Sequence, residues 1–392
     1  MDETIAEPRA AARRWTFRIP AYVLIPFYLM IVGVALRYAV YVRNTNHWGI
    51  TEYLRALCVY DCNAYERLAL NGYEGRPDGF DKGDANNWAF FPLYSILAWA
   101  VSRITGLSVL VAGSILTNLL TVWAAIISWS LFDRNLRAYF LFCFFLFLGP
   151  FSYYFTTLYT EALFILLSVA GFVLLRQRDY VTAGVTGALM SATRSTGLLF
   201  MAAILIAAFQ NHLRDGGTAG SFFKSLWRRT DLLLAVALVP IGVSCFAVYL
   251  WVHSGDALAF QHIQRAWGRA FANPFWNLWL TVSMQFKAGN YATISSDLAF
   301  GIAALFGVAM SAVMAWKGRW DWAIFSLFGV LLPLSTNAYS MLRFVVGIAP
   351  VLIVASVLFS RWKGVFWLVL PVLLILDVFL LPTWMSRSYY LM

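Results

Sequence analysis

Long apolar segments separated by short polar loops recur along most of the chain. A helix of roughly 20 apolar residues crosses the hydrocarbon core of a bilayer, and in lipid the backbone polar groups must be hydrogen-bonded within the segment itself. The pattern therefore predicts an all-α, polytopic bundle of membrane helices. The segments predicted to be spans are 20–42, 108–131, 137–155, 161–176, 180–193, 196–210, 231–252, 296–316, 321–335, 343–360 and 364–382.

One further apolar segment, 89–104, is short and has Pro92 in its first turn. If this segment crossed the membrane completely, the basic loop at 132–137 would lie on the outer side. We therefore expect a half-length or re-entrant helix, which a bilayer tolerates where the segment lines a protein cavity. The whole bundle would then have about 10–12 membrane segments.

The polar loops differ in length and in charge. Short loops that contain arginine or lysine follow several of the spans, and loops of this kind normally face the cytoplasm. The two long polar loops, 43–88 and 253–295, would then be extracytoplasmic. We expect residues 1–392 to form a single integral membrane domain whose candidate functional residues lie in or near these two loops.

Composition agrees with a membrane protein and narrows its function. Only 12% of the residues are charged, against about 25% in ordinary soluble domains. The formal charge of +10 is scattered through short loops, where it sets topology and contacts anionic membrane lipids, so no nucleic acid partner is expected. The chain has no glycine-rich phosphate loop or nucleotide fingerprint, which argues against a donor carried on a soluble nucleotide.

The cysteines form no metal-binding pattern. Cys143 and Cys245 lie inside apolar segments, and the pair Cys58 and Cys62 lacks the second pair of ligands that a structural zinc site requires. All four are interpreted as small core residues.

The stretch VYDCNAYERLALNGYEG places charged side chains directly after the first span. If residues 62–71 are helical, Asp61 is the N-cap residue and Gly72 ends the helix. Glu66 would point about 140° away from Asp61, so the two do not form an obvious carboxylate pair. Asp61 is therefore either a simple cap or a general base, and the two roles are compatible.

Three charged residues lie at the outer ends of apolar segments. They are Glu161 in TTLYTEALF, Arg194 in SATRSTG and Arg343 in YSMLRFVVGIAP. An ionisable side chain at membrane depth is costly and is a functional candidate by default, and the planar guanidinium suits a phosphate ligand. The structural alternative is an ion pair between Glu161 and one of the arginines.

Other polar residues of the two outer loops are weaker candidates for substrate binding. Asn87 precedes the aromatic segment AFFPLY and could contact sugar hydroxyls, or it could mark a helix start at the membrane interface. The second loop contributes His253, His262 and Arg265. These residues fit a substrate platform, and they fit equally an amphipathic helix lying on the membrane.

The chain resembles the PIG-V family of mannosyltransferases, the group that contains GPI mannosyltransferase 2, within the GT-C class of glycosyltransferases. The resemblance rests on six motifs in family order between residues 60 and 350: YDCNAYERLALNGY, NWAFFPLY, LYTEALF, SATRSTGLL, GDALAFQHIQRAWGR and RFVVGIAP. The sequence departs from the family at Tyr60, where a tryptophan usually precedes the acidic residue. The acid itself, Asp61, is kept.

The resemblance implies an inverting sugar transfer from a polyprenyl-phosphate-linked mannose to a lipid-, glycan- or protein-linked acceptor on the extracytoplasmic face. Asp61 matches the acidic residue that acts as catalytic base, and Arg343 and Arg194 would stabilise the departing phosphate. No metal or other cofactor is invoked, although a two-carboxylate metal site that includes Glu161 remains an alternative. The compact loops suit a bacterial plasma membrane, and a eukaryotic member would lie in the endoplasmic reticulum membrane.

A second class of function also fits the residues. A transporter or flippase for an isoprenoid-linked sugar would share the spans and the intramembrane charges. The chain lacks visible internal repeats, which many transporters have, and it places its polar residues in two long outer loops. These features favour a transferase.

Overall fold

The computed structural model describes residues 19–74, 87–287 and 296–387. Within these ranges the regular secondary structure is entirely helical, as the apolar pattern predicts. The middle of the first outer loop and the end of the second lie outside the described residues.

The helices of the first half of the chain carry most of the predicted functional residues. They are α1 (Ala21–Thr45), α2 (Ile50–Leu57), α3 (Asp61–Asn71), α4 (Pro92–Thr105), α5 (Val109–Ser128), α6 (Leu136–Leu148), α7 (Glu161–Arg176), α8 (Tyr180–Thr193) and α9 (Phe200–Arg214). Short 3-10 turns follow or precede some of them, at Trp129–Phe132, Ser152–Phe155 and Ser195–Leu199.

The second half of the chain contributes the remaining helices of the bundle and of the second outer loop. They are α10 (Ala219–Leu226), α11 (Thr230–Leu238), α12 (Ile241–Ser254), α13 (Ala259–His262), α14 (Pro274–Lys287), α15 (Ser296–Trp316), α16 (Trp320–Leu334), α17 (Met341–Val346), α18 (Ala349–Phe359) and α19 (Lys363–Met385). A 3-10 turn at Ile263–Trp267 continues α13.

The lengths of the helices confirm an integral, multi-pass membrane protein. Among the described residues, six helical stretches are long and apolar enough to cross a bilayer, and three shorter apolar helices accompany them. Each of the eleven predicted spans coincides with helical structure. In lipid, an apolar segment of this length can hydrogen-bond its own backbone groups only as a helix. Several of these helices start at conventional caps; Ser108, for example, accepts a hydrogen bond from the Val111 amide.

The contacts of α4 and α5 explain the short apolar segment. The Tyr94 hydroxyl of α4 lies 2.5 Å from the Thr117 hydroxyl of α5, so the two helices form an antiparallel hairpin around Gly106. The far end of α5 meets the start of α1, where Trp129 stacks on Tyr22. Since α5 therefore runs opposite to α1, α4 ends on the side where α1 ends, and its start lies beside Thr117 near the middle of α5. The 14 residues of α4 make a helix of about 21 Å, which is shorter than the roughly 30 Å hydrocarbon core. This length agrees with the expected half-length helix, and the return of α4 without crossing the bilayer stays a prediction.

The short basic loops lie together at the other end of the bundle. Arg176 forms an ion pair with Asp133 at 2.7 Å, and Arg178 contacts Asp215 through two hydrogen bonds of 2.6 and 2.8 Å. These contacts join the loops that follow α5, α7 and α9. The starts of α3, α7 and α17 and the ends of α8 and α16 face the opposite side, which is where the candidate site lies.

Candidate functional site

Asp61 is the first residue of α3, and Tyr60, not Asp61, occupies the N-cap position. Asp61 is therefore not the N-cap residue that the sequence pattern suggested, and the residue at the N-cap position makes no side-chain cap bond. Tyr60 has φ +52°, in the left-handed region that side chains other than glycine rarely adopt. Such strain persists only where the surroundings fix the backbone, and it often marks a functional site. Gly72 ends α3 as expected, with φ +74°.

A disulfide brackets Asp61. Cys58 and Cys62 are buried, as expected of small core residues, and they are bonded to each other with their Cα atoms 5.1 Å apart, which the sequence analysis did not predict. The turn that leads into α3 brings these two residues together, as a disulfide requires. Disulfides persist in oxidising compartments, which agrees with an extracytoplasmic position for this loop. Of the free cysteines, Cys143 is buried as expected and Cys245 is exposed.

Two aromatic side chains hold the backbone immediately before Asp61. The Trp384 indole of α19 donates a 2.9 Å hydrogen bond to the Leu57 carbonyl, and the Tyr159 hydroxyl donates a 2.7 Å bond to the Val59 carbonyl. Trp384 is fully buried and stacks on Tyr153 at 4.1 Å between ring centroids. The position of Asp61 is thus set by contacts with distant parts of the chain as well as by the disulfide.

A continuous charged network connects Asp61 with both candidate arginines. Arg343 donates to the Asp61 carboxylate, and its Nε lies 2.7 Å from the Glu161 Oε1 atom without hydrogen-bond geometry. Arg194 donates to the same Glu161 oxygen and, through its Nε, to the Thr160 hydroxyl at 3.0 Å. The ion pair expected as an alternative for Glu161 is therefore present twice, with both arginines.

The second acid of α3 has a separate role. Glu66 binds Arg55 of α2 through two contacts, one of them a 2.9 Å hydrogen bond from Nη2 to Oε1. It thereby ties α2 to α3 on the side of the helix away from Asp61. This arrangement confirms the expectation from helical geometry that the two carboxylates do not act as a pair.

A cavity of about 440 Å³ lies in front of this network, within the size range of small-molecule sites. Its charged lining residues are Asp61, Arg194, Arg269 and Arg343, and its polar ones include Tyr65 and Gln264. The Asp61 side chain keeps 25% of its surface exposed, whereas Glu161 is fully buried. Asp61 is consequently within reach of a molecule in the cavity, and Glu161 acts on it only through the arginines.

Aromatic rings form much of the remaining cavity wall, among them Phe90, Phe260, Trp267 and Phe344. Burial raises the pKa of the Tyr65 hydroxyl to about 12, so this group remains a neutral donor at physiological pH. Such a wall, apolar with a few polar groups, is typical of ligand pockets.

Arg269 faces the cavity and was not among the site residues that the sequence predicted. It lines the cavity, donates a 2.9 Å hydrogen bond to the Gln264 side chain and lies 5.7 Å from the Trp267 ring. Phe260, Gln264 and Trp267 follow a spacing of four and three residues, so they share one face of the helical segment. That periodicity was the available signal for which side of this loop faces the site.

The other predicted site residues lie outside the cavity lining. Asn87 is buried and binds the Gly72 carbonyl and the Glu74 amide, so it closes the base of the first outer loop. His253 packs against the rings of Trp88 and Tyr249. The structure gives these side chains packing partners within the loop.

The remaining two candidates of the second outer loop are on its exposed surface. His262 contacts the Asp256 carboxylate through Nδ1 at 2.7 Å, and Arg265 is exposed. Neither residue lines the cavity. Their inclusion in the substrate site is therefore not supported by their positions, because the phase of this helix could not be read from single charged residues.

An apolar groove of about 740 Å³ opens beside the charged cavity, between α3, α4, α8 and α12. Its lining includes Leu68, Trp99, Leu189, Cys245 and Phe246. The rings of Phe91 and Phe246, 4.9 Å apart, stand between the groove and the cavity. An apolar space of this size next to a charged one suits a molecule with a hydrocarbon chain and a polar head.

No group of three or more histidine, cysteine, aspartate or glutamate side chains in the described ranges is arranged to hold a metal ion. The structure instead surrounds Glu161 with two guanidinium groups. A cation there would have to displace both arginines.

No protein-family model matches the chain, and no curated protein matches its sequence. Among solved structures, the oligosaccharyltransferase of Archaeoglobus fulgidus in complex with zinc and sulfate aligns with a TM-score of 0.49 and 13% identity, over 92% of this chain and 53% of that chain. The form tethered to an acceptor peptide aligns with a TM-score of 0.45 and 15% identity, over 94% and 55%. The AglB complex with an inhibitory peptide and a dolichol-phosphate gives 0.42 and 12%, over 94% and 56%.

The chain thus spans about half the length of the solved structures with which it aligns. Its own helices define it as an integral, multi-pass membrane protein with a charged cavity at one end of the bundle. The resemblance to mannosyltransferases is carried by the short motifs alone.

Proposed function

We propose that the chain is a membrane glycosyltransferase that moves mannose from a polyprenyl-phosphate-mannose donor to a lipid-, glycan- or protein-linked acceptor on the extracytoplasmic face. The observation that carries this proposal is the position of Asp61. Its partly exposed carboxylate faces a cavity lined by three arginines, at the end of the bundle opposite the basic loops. A carboxylate beside a phosphate-binding set of cations is what a sugar-phosphate transfer needs.

The reaction is a single displacement with inversion. An acceptor hydroxyl oxygen attacks the anomeric carbon from the face opposite the phosphate, while Asp61 takes the hydroxyl proton. The bond between the anomeric carbon and the phosphate oxygen breaks, and its electron pair leaves with the polyprenyl phosphate. Arg343 and Arg194 stabilise the negative charge that develops there, as preorganised donors do in a site shielded from water.

The apolar groove supports a lipid-linked substrate. A polyprenyl chain is a hydrocarbon, and it stays in the bilayer while its phosphate and sugar reach the interface. The groove of about 740 Å³ lies next to the charged cavity and contains few polar groups. It would hold part of such a chain close to Asp61.

Sugar transfer by the purified protein in proteoliposomes tests this function. The assay follows labelled mannose from polyprenyl-phosphate mannose into extracted membrane acceptors, with wild type compared to Asp61→Asn. Loss of a general base lowers rates by about 10²–10⁴-fold, so we expect a loss of this size in kcat with unchanged folding. Asp256→Asn is the matched control, because this acid pairs with His262 outside the cavity.

Three outcomes would contradict the proposal in different ways. Equal transfer by wild type and Asp61→Asn would leave an enzyme without this base. Labelled lipid that crosses the bilayer without sugar transfer would assign the protein to the flippase class. If the chain shows neither sugar transfer nor lipid movement, and a partner enzyme depends fully on it for activity, the chain is a structural subunit.

A further inference from the structure

The charges around the cavity are not balanced. Asp61, Arg194, Arg269 and Arg343 line it, and Glu161 lies directly behind. Both carboxylates are occupied, since Arg343 binds Asp61 and Glu161, and Arg194 binds Glu161. Three guanidinium groups against two carboxylates leave one positive charge without a counterpart among the described residues.

That surplus charge is located on Arg269. Its described contacts are with the neutral side chain of Gln264 and with the Trp267 ring, and its Nε atom is buried without a hydrogen-bond partner. Burial lowers the pKa of Arg269 from its ordinary value, Asp61 raises it in part, and Arg343 lowers it further. A buried cation with an unused donor is costly unless an anion joins it.

The paired arginines are less available to a ligand than Arg269. Arg343 would have to give up Asp61, and Arg194 would have to give up Glu161, before either could turn a full set of donors to a phosphate. Arg269 needs to break only a hydrogen bond to a neutral amide. Binding of an incoming anion at Arg269 therefore breaks fewer existing interactions than binding at Arg343 or Arg194.

We infer that Arg269 is the residue that captures the phosphate of the lipid-linked donor. This inference rests on the proposed function and names a subsite for it. The phosphodiester of the donor carries one negative charge, which balances the surplus positive charge of the cavity.

The same balance holds after the reaction. The departing polyprenyl phosphate gains a second negative charge when it takes the electron pair of the broken bond. Asp61 loses its negative charge at the same step, because it receives the acceptor proton. The total charge in the cavity stays at zero, and neutral Asp61 releases Arg343 to contact the new phosphate monoester.

Binding of farnesyl phosphate to the full-length protein in phosphatidylcholine nanodiscs tests the inference. The comparison is between wild type, Arg269→Gln, Arg269→Lys and Arg265→Gln, with uncharged farnesol as a second probe. Removing one charge-assisted contact should weaken farnesyl phosphate binding by about 10- to 100-fold in Arg269→Gln. Arg269→Lys should fall between, because lysine keeps the charge and loses the planar fork.

The controls separate a phosphate contact from a packing effect. Arg265→Gln changes the same residue type in the same loop, on its exposed face, and should bind like wild type. Farnesol binding should be equal in all four proteins. Equal farnesyl phosphate binding by Arg269→Gln and wild type would overturn the inference, as would an equal loss of both probes in Arg269→Gln.

A mannose-transfer assay on the same proteins distinguishes failure of the Arg269 assignment from failure of the proposed function. If wild type transfers mannose and Arg269→Gln shows the same KM for the donor, the proposed function stands and the Arg269 assignment is wrong. If wild type neither binds farnesyl phosphate nor transfers mannose, the proposed function is wrong and the Arg269 assignment is wrong with it.

Discussion

At the scale of single residues, Glu161 holds the site together without entering the cavity. Its Oε1 atom contacts both Arg194 and Arg343, and the side chain is fully buried. Removing one partner of a buried ion pair is strongly destabilising, because it leaves a buried charge without compensation. Glu161 is therefore a positioning residue, in contrast to Asp61, which faces the cavity.

Replacing Glu161 with glutamine should destabilise the protein by about 3–5 kcal/mol, because the buried Arg194 guanidinium would lose its carboxylate partner and Arg343 would keep only Asp61. The double variant Glu161→Gln/Arg194→Gln restores the net charge that the wild-type site has and should recover at least about 1 kcal/mol of this loss. Thermal unfolding in detergent, followed by intrinsic tryptophan fluorescence, measures both. Additive destabilisation by the two changes would show that Glu161 and Arg194 do not interact energetically.

At the scale of elements, the positions of the helices could be predicted from the sequence, whereas the contacts between distant helices could not. Apolar runs set the positions of spans such as α1 and α15, because a membrane leaves few alternatives to a helix. The link between Arg343 and Asp61 joins residues 282 positions apart, which no local pattern encodes. The phase of the segment Ile263–Trp267 was also missed, so Arg265 was selected where Arg269 faces the cavity.

The junction of α2 and α3 shows the same limit. The motif in this stretch indicated a functional acid, but the disulfide between Cys58 and Cys62 depends on how tightly the chain turns before α3. The turn places Tyr60 in a strained conformation that the flanking contacts maintain. Together these features fix the direction of the Asp61 side chain.

Removing the disulfide should therefore affect the rate of transfer more than donor binding. In Cys58→Ala/Cys62→Ala we expect kcat to fall by about 10- to 100-fold, because small displacements of a catalytic group have effects of this size. The stability loss should be only about 2 kcal/mol, since the closed loop is short. Transfer kinetics measure the change in kcat, and farnesyl phosphate binding measures the change in donor affinity. Cys143→Ala is the control for loss of a thiol. An unchanged kcat in the double variant would show that the disulfide does not position Asp61.

At the scale of the whole molecule, the two ends of the bundle have different chemistry. One end joins short basic loops through ion pairs such as Arg178 with Asp215. The other end carries the cavity, the disulfide and the turn between α4 and α5. Positive loops face the cytoplasm and disulfides form outside it. Both rules support the proposed extracytoplasmic position of the cavity.

The α4–α5 hairpin makes this sidedness testable. Thr105 lies in its exposed turn, and Arg178 lies in a basic loop at the far end. In a background with Cys143→Ala and Cys245→Ala, we expect a membrane-impermeant maleimide to label Thr105→Cys in intact cells. Arg178→Cys should react only after permeabilisation.

A complete crossing by α4 would put its two ends on opposite sides, and Thr105→Cys would then be protected in intact cells while a cysteine at Asn46, just after α1, is labelled. Equal labelling at Asn46 and Thr105 is expected only if the short helix returns to the side on which it began.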